Sequence, residues 1–360
     1  MALKCGIVGL PNVGKSSLFN ALTKLAIAAE NYPFCTIEPN SGTVEVPDSR
    51  LDALAKIANP QRILSAIATF VDIAGLVKGA ASGEGLGNKF LANIRETDAI
   101  VHVVRCFEDD DIIHVNGTVN PLSDVATINY ELMLADMETL TKAVEKEMKK
   151  AKSNDAEAKS KVALFERALA YLNADGLLKN IDMTAEEKQL IKPLCLITIK
   201  PVIFLANINY NKPNPALEDL KSYAKENHCE VLAMDISLEA EVAMMSKEDK
   251  LAFLEEYGET EAGLDRLIKS SYKLLGLQTY FTVGEKEVRA WVINVGDKAP
   301  KAAGVIHTDF EKGFIRAQVI SYEDYIQYAS VEEAKKHGKL RFEGKEYLVR
   351  DGDVIEFLFN

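Results

Sequence analysis

The sequence predicts an α/β fold built on a mostly parallel sheet, and three features support this. Short, almost continuous apolar runs recur between longer amphipathic stretches, as expected of parallel strands covered by helices on both faces. A glycine-rich loop follows the first of these runs and precedes a helical pattern. After residue 277 the pattern changes to short alternating runs separated by Gly and Asp, which indicates a second, α+β unit.

Size and composition limit the class of protein. The chain has 360 residues, 48% of them hydrophobic, which is enough for two or three domains. Its five cysteines show no CxxC or Cys/His ligand spacing, so neither a zinc site nor a disulfide framework is indicated. The first residues, MALKCGIVGL, fit neither a signal peptide nor a membrane-spanning helix, so we expect a cytoplasmic protein without a membrane partner. A net charge of −12 argues against coating nucleic acid with the whole surface.

The order of the elements predicts three units. Strands are predicted at 3–10, 68–75, 99–106, 201–207 and 230–237. The stretch from about 130 to 192 has apolar residues at three- and four-residue steps and no strand signal, so we expect an antiparallel helical hairpin inserted between strands. The predicted units are a discontinuous domain of residues 1–129 and 193–277, an inserted arm of 130–192, and a C-terminal domain of 278–360.

The strongest motif is GLPNVGKS, which begins at Gly9 and continues through Gly14, Lys15 and Ser16. This is the P-loop pattern in its required context between a strand and a helix. Glycines let backbone N–H groups turn toward phosphate oxygens, and the following helix directs its positive N-terminus at them. We predict that Lys15 reaches the β- and γ-phosphates and that the Ser16 hydroxyl ligates Mg²⁺. The other residues predicted to contact the nucleotide phosphates are Asn12, Val13 and Ser17.

Two further segments match the switch regions of P-loop NTPases. In FVDIAG, Asp72 ends a predicted strand and is expected to hold Mg²⁺ through water, while the Gly75 N–H would sense the γ-phosphate. In NYPFCTIEPN, Thr36 is the candidate hydroxyl that joins Mg²⁺ when a triphosphate is bound. The alternative for this second segment is a plain surface loop.

A residue that would orient the attacking water is missing from its usual place. Many GTPases have Gln after the switch glycine, but this chain has Leu76, which can neither donate nor accept a hydrogen bond. Two replacements are open: a side chain from another loop, for which His114 is the candidate, or a cation such as K⁺ bound partly by the Asn12 amide oxygen. A solvated His114 without a catalytic role is the alternative.

The segment PVIFLANINYNKP raises the question of which base is bound. In GTP-binding proteins such a strand ends in Asn-Lys-x-Asp, and the Asp carboxylate accepts two hydrogen bonds from guanine. Here Ile208 occupies the Lys position and Tyr210 the Asp position. The carboxylate that selects guanine is therefore absent from this position.

Together these blocks resemble the YchF family, the Obg-like ATPases within the translation-factor class of P-loop NTPases. The resemblance covers essentially the whole chain and includes GLPNVGKSSLFNALT, VDIAGLVKGAASGEGLGNKFL, RCFEDDD, LGLQTYFTVGEKEVRAW and IHTDFEKGFIRA. It implies a G domain interrupted by an antiparallel coiled-coil arm and followed by a C-terminal TGS domain with a β-grasp fold. It also implies a hydrophobic residue in place of the catalytic Gln, matched by Leu76, and a preference for ATP through an Asn-x-x-Glu motif.

The resemblance assigns roles around the base. Asn207 matches the family's Asn, and the backbone of Ile208 would offer the adenine edge one acceptor and one donor. Phe107 would contact the base, and Ser237 lies in the last G motif. Tyr210 departs from the family's Glu, but it offers guanine no carboxylate, so we still expect ATP to be favoured over GTP.

Two functions remain open at this point. One is a slow Mg²⁺-dependent ATPase whose hydrolysis resets a switch recognised by the ribosome or other translation partners. The other is a nucleotide-gated adaptor for ribosomes or client proteins whose turnover is incidental. From Lys142 to Lys161 the chain has seven lysines and four acidic residues, and this excess of positive charge favours contact with ribosomal RNA. The alternative is that the charged helix tip is simply solvated, which is more common.

A redox input is a further hypothesis. Cys35 precedes Thr36 in the first switch segment, and we expect burial to protect most of the other four thiols. Cys35 is therefore predicted to react first, with a possible stress-response role, against the alternative of an ordinary loop thiol.

Overall fold

The computed structural model describes residues 3–25, 40–73, 86–108, 119–153 and 155–360. These residues form an α/β fold with two mixed sheets and a long helical pair between two strands of the first sheet, so the predicted fold class is confirmed. In the described ranges no helix combines the length and apolarity needed to cross a membrane.

The strands of both sheets are numbered in the order in which they occur along the chain. They are β1 Leu3–Val8, β2 Ser41–Glu45, β3 Arg62–Leu64, β4 Ile67–Asp72, β5 Ala99–Arg105, β6 Val202–Asn207, β7 Glu230–Met234, β8 Leu277–Val283, β9 Glu287–Asn294, β10 Phe314–Ile320, β11 Arg341–Glu343 and β12 Val354–Phe359. The strands β2 and β3 are not among those predicted from the sequence.

The helices complete the list of elements. They are α1 Lys15–Lys24, α2 Ser49–Ala58, α3 Leu86–Arg95, α4 Pro121–Ala151, α5 Ala156–Asn173, α6 Ala185–Ile191, α7 Ala216–Glu226, α8 Ile236–Val242, α9 Lys247–Glu256, α10 Gly263–Leu274, α11 Ala299–Ile306, α12 Thr308–Lys312, α13 Tyr322–Tyr328 and α14 Val331–Lys336.

The first sheet has the order β2-β4-β1-β5-β6-β7, and only β2 runs antiparallel to its neighbour within this described sheet. Both faces are covered, as the near-continuous apolar strands predict. Val103 and Leu205 belong to a core shared with α1 and α10, whereas Val104 and Phe204 pack with α4 and α7 on the opposite face. Because β1 and β4 are parallel neighbours with Ile7 beside Asp72, the loop after β1 lies next to the end of β4.

The arm is formed by α4 and α5, which pack together through a separate apolar cluster that includes Leu140, Phe165 and Leu172. Helix α4 starts well before the arm, at Pro121, where the Asn120 side chain accepts a hydrogen bond from the Ser123 N–H at 3.1 Å. Val125 in its first turns is buried against the sheet. One continuous helix therefore runs from the sheet into the arm.

A buried carboxylate fastens the base of the arm. Asp136 on α4 is fully buried and accepts hydrogen bonds from the backbone N–H groups of Ile197 and Thr198 at 2.9 and 2.7 Å. Burial raises the pKa of Asp136, and these backbone donors oppose that shift. The chain that returns from the arm to β6 is thus held to α4.

The C-terminal sheet has the β-grasp order β11-β10-β12-β8-β9, with β8 and β12 as parallel neighbours in the middle and α11 across one face. The edge at β9 is extended by β3, a strand from the first domain that pairs Arg62 with Glu287 and Leu64 with Arg289. Tyr325 on α13 is buried because it packs toward the first domain's core.

A second contact joins the two sheets' domains. The Arg50 guanidinium on α2 pairs with Asp48 at 2.8 Å and with Asp351 of the C-terminal domain at 2.7 Å. It also lies 5.3 Å from the centroid of the Phe281 ring on β8. Together with β3, this arginine fixes the C-terminal domain to the segment that leads into β4.

Candidate nucleotide site

The loop between β1 and α1 requires its glycines for two reasons. Gly9 and Gly14 have φ angles of 155° and 105°, which L side chains rarely adopt. A Cβ at Gly9 would lie 2.5 Å from the Val103 carbonyl oxygen, and one at Gly14 would lie 2.6 Å from the side-chain nitrogen of Asn207. Glycine therefore permits both the turn and the close packing of the loop on β5 and β6.

Lys15 begins α1 and is nearly buried under this loop. Its Nζ donates a hydrogen bond to the Leu10 carbonyl at 2.6 Å. Burial lowers the pKa of Lys15 to about 8, and the nearby carboxylate of Asp72 opposes that shift. Among the described residues, the Leu10 carbonyl and the Asp72 carboxylate stabilise this desolvated ammonium, which is suited to exchanging the carbonyl for a phosphate oxygen.

Asp72 lies half-buried at the end of β4, as the sequence predicts for the second motif. Burial raises its pKa, and Lys15 opposes the change. Ser16, the other predicted ligand that the structure describes, is exposed in the first turn of α1. The described residues contain no group of three or more His, Cys, Asp or Glu that could hold a metal. A hydroxyl and one carboxylate fit Mg²⁺, which usually takes one or two protein oxygens and completes its shell with phosphates and water.

His102 is a residue of the site that the sequence reasoning missed. It lies on β5 beside Val8, is 2% exposed, and contacts the Phe204 ring with centroids 5.4 Å apart. Burial and the charge of Lys15 lower its pKa to about 3, so the imidazole is neutral at ordinary pH. The one available signal in the sequence was a polar residue in the middle of the apolar run AIVHVV.

Asn207 at the end of β6 connects the P-loop to the last motif. Its side-chain nitrogen donates to the Val13 carbonyl at 3.0 Å, and its side-chain oxygen accepts from the Ile236 N–H at 3.3 Å. The side chain is almost completely buried. It therefore holds two segments of the site together.

The backbone of Ile208 differs from expectation. Its N–H already donates to the Met234 carbonyl at 3.0 Å, which extends the pairing of β6 with β7. The Ile208 N–H, which was expected to donate to the base, is therefore already hydrogen-bonded. The backbone group of Ile208 that can still bind a base is the carbonyl. Ser237 is exposed at the start of α8, where its N–H donates to the Asp235 side chain at 3.1 Å.

Two aromatic residues frame this part of the site. Phe107 is half-buried, with the Arg105 guanidinium 4.7 Å from its ring centroid. The Tyr210 hydroxyl donates to Glu259 at 3.2 Å, and Glu259 in turn pairs with Arg266 at 3.0 Å. Burial and Glu259 raise the pKa of Tyr210 to about 12. Tyr210 is therefore committed to the segment that follows α9.

Some predicted residues fall outside the described ranges. These are Thr36, Gly75, Leu76, His114 and Cys35. Their roles remain predictions.

Burial does not protect all of the described cysteine thiols from reaction. Cys5 and Cys106 are buried, and burial raises the pKa of each thiol to about 12. Cys195 is exposed, so it is an exception to the expectation that burial protects most of these thiols. It ends the short 3₁₀ turn Lys192–Leu194 with a left-handed φ of 47°, which turns it outward while Leu196 is buried. Cys229 is half-buried, with its Sγ 2.6 Å from the Lys179 Nζ.

Models of known protein families match the N-terminal and the C-terminal part of the chain. A model described as 50S ribosome-binding GTPase matches residues 4–132. The YchF-GTPase C-terminal model, described as a protein of unknown function (DUF933), matches residues 277–360. The intervening residues 133–276 contain most of the arm and the strands β6 and β7.

Curated relatives match over their full length. The chain is 56% identical over 362 residues to the Ribosome-binding ATPase YchF of Escherichia coli O157:H7, and 50% identical over 365 residues to that of Bacillus subtilis. Each alignment covers 100% of this chain and 100% of the relative. Among solved structures, the Schizosaccharomyces pombe YchF GTPase superposes with a TM-score of 0.88 at 38% identity, over 99% of this chain and 97% of that one. A GTP-binding protein from Pyrococcus horikoshii, at 18% identity and a TM-score of 0.64, shares the fold.

Proposed function

This chain belongs to the YchF family, and from that premise we propose that it is a Mg²⁺-dependent P-loop ATPase that acts as a nucleotide-controlled switch on the ribosome. The observation that carries the proposal is the glycine loop after β1, with buried Lys15 beneath it and Asp72 alongside. Backbone N–H groups at the start of α1 and the Lys15 ammonium would bind the phosphates.

Hydrolysis then depends on how the chain positions charge and water. Mg²⁺, held by Ser16, Thr36 and, through water, Asp72, would neutralise negative charge on the phosphates. Lys15 donates to the β- and γ-phosphates, and the Gly75 N–H senses the γ-phosphate. In place of the missing Gln, His114 would orient the water, or the Asn12 amide oxygen would help to hold a K⁺ ion that supplies this positioning. The neutral His102 adds no second positive charge behind the loop.

We propose that adenine is preferred because the side chain at position 210 cannot accept hydrogen bonds from both guanine donors. Guanine presents two donors, N1–H and its exocyclic amine, and an unmatched buried donor costs about 1–3 kcal/mol. The Tyr210 hydroxyl is held by its hydrogen bond to Glu259, and its single oxygen cannot accept from both guanine donors as the two oxygens of a carboxylate do. The Ile208 carbonyl could accept a hydrogen bond from the exocyclic amine of adenine.

The ribosome is proposed as the partner because the relatives are named ribosome-binding ATPases and because the tip of the arm, residues 142–161, has seven lysines and four acidic residues. Lys142, Lys150 and Lys161 each pair with a glutamate one helical turn away. The Lys142–Glu138 pair is exposed at both ends and contributes little, so Lys142 can exchange its glutamate for an RNA phosphate at small cost. A cytoplasmic location follows from this partner, and protein clients are compatible with the same surface.

Calorimetric titration with ADP and GDP tests the base preference. We expect ADP to bind on the order of five- to tenfold more tightly, which corresponds to one unsatisfied hydrogen-bonding group. Tyr210→Asp, which supplies a carboxylate, should raise GDP affinity relative to ADP, whereas Tyr210→Phe should keep the ADP preference. Equal affinities in the native chain would disprove the assignment of ATP.

Turnover with and without ribosomes separates the switch from the alternative, an adaptor whose hydrolysis is incidental. A switch predicts that ribosomes accelerate ATP hydrolysis and that cosedimentation with them differs between ATP and ADP. Unchanged turnover with nucleotide-dependent cosedimentation would favour the adaptor. Cosedimentation that is absent in every nucleotide state would reject the ribosome as the partner while leaving the ATPase assignment standing.

A further inference from the structure

The C-terminal domain contains a cavity of about 450 Å³, and its described lining residues all lie between Thr282 and Phe357. It lies where the central parallel strands β8 and β12 separate. These strands pair in register at Phe281 and Val354, and within the described residues no further pair forms between them. The next two pairs in this register would be Thr282 with Ile355 and Val283 with Glu356, and all four residues line the cavity instead.

The gap opens the cavity toward both faces of the sheet. Ile355 and Phe357 belong to the apolar cluster beneath α11, whereas Val354 and Ile320 belong to the core shared with the first domain. Residues from both clusters line the cavity. Most of the wall is therefore apolar, and an elongated ligand could lie between the two strands.

The charged groups in the wall have one sign. Among the described residues that line the cavity, Glu287 and Glu356 are charged and none is Lys, Arg or His. Glu287 faces Arg62 and Arg289 at 3.9 and 3.8 Å, so its charge is compensated. Glu356 has no ion pair or side-chain hydrogen bond within the described part of the chain. The field in the cavity is thus negative on the side of Glu356.

A second polar side chain stands beside that carboxylate. Gln318 on β10 is the cross-strand partner of Glu356, and its half-buried side-chain amide also lines the cavity. Like Glu356, this amide makes no side-chain hydrogen bond to another described residue. A carboxylate and an amide oxygen next to an apolar wall are the groups that bind a protonated amine on an apolar body.

We propose that this cavity binds a small organic cation, an ammonium or guanidinium group carried on a short aromatic or aliphatic body. The cationic head pairs with Glu356 and donates to Gln318 on the face of the sheet that carries Val354 and Ile320. The body passes between β8 and β12 and packs against Trp291 and Phe310 on the opposite face. The site is independent of the nucleotide site.

Tryptophan fluorescence tests this directly, because Trp291 is the single tryptophan of the chain and lines the cavity. The full-length protein is titrated with phenethylamine hydrochloride and, separately, with the uncharged analogue 2-phenylethanol. Glu356→Gln removes the charge from an exposed position, so the variant should fold. Glu323→Gln, on α13 and outside the cavity, is the matched control.

We expect the amine to change Trp291 emission saturably in the native chain and in Glu323→Gln. Glu356→Gln should weaken binding roughly tenfold, the usual effect of losing one charge-assisted hydrogen bond, and the alcohol should bind more weakly than the amine. Three results would overturn the proposal: no saturable change with the amine, equal binding by the alcohol, or equal amine binding by Glu356→Gln.

Discussion

Replacing Lys15 with Ala is expected to reduce ADP and ATP affinity by at least about a hundredfold without unfolding the protein. The ammonium would contribute two charge-assisted hydrogen bonds to phosphates, each worth about 1.5–3 kcal/mol. In the structure it is desolvated and contacts only the Leu10 carbonyl among the described hydrogen-bond acceptors, so its removal costs the fold little. Calorimetric titration with each nucleotide measures the loss.

Lys24→Ala is the matched control, since Lys24 is exposed at the other end of the same helix. It should bind nucleotide like the native chain. Circular dichroism and thermal unfolding of both variants establish that α1 is intact. Native-like affinity in folded Lys15→Ala would refute the assignment of this loop as the phosphate site, whatever the base preference.

The phosphate half of the site could be predicted because its information is local. A strand, the turn from Gly9 to Gly14, and a helix that begins at Lys15 are consecutive in the chain, so spacing alone specifies them. Asp72 was predictable for a similar reason, since it directly ends an apolar strand. The parallel pairing of β1 with β4 then brings the two motifs together.

The base half could not be predicted because its contacts are remote in sequence. Tyr210 is engaged by Glu259, 49 residues later, and the Ile208 N–H by Met234 on a neighbouring strand. The strand β3 shows the same limit in the fold. It has three residues without alternation, and its partner β9 is more than two hundred residues away. Tertiary pairing, which no local pattern encodes, decides such elements.

Asn207 connects the two halves and is the position where a single buried side chain should matter most for the shape of the site. It spans from the Val13 carbonyl in the P-loop to the Ile236 N–H at the start of α8. Gly14 packs directly on its amide, so the side chain also fills the space behind the loop. Loss of this residue would leave two main-chain groups without partners and a void between them.

We therefore expect Asn207→Ala to lower the free energy of unfolding by about 2–4 kcal/mol, since each unsatisfied buried group costs about 1–3 kcal/mol. Nucleotide affinity should fall by roughly tenfold as well, because the P-loop loses a support that keeps its N–H groups aimed at the phosphates. Urea unfolding and ADP titration measure the two effects. Asn211→Ala, in the exposed turn that follows, should change neither. If Asn207→Ala lowered stability but bound ADP as tightly as the native chain, the P-loop would be shown to hold its geometry without this bridge.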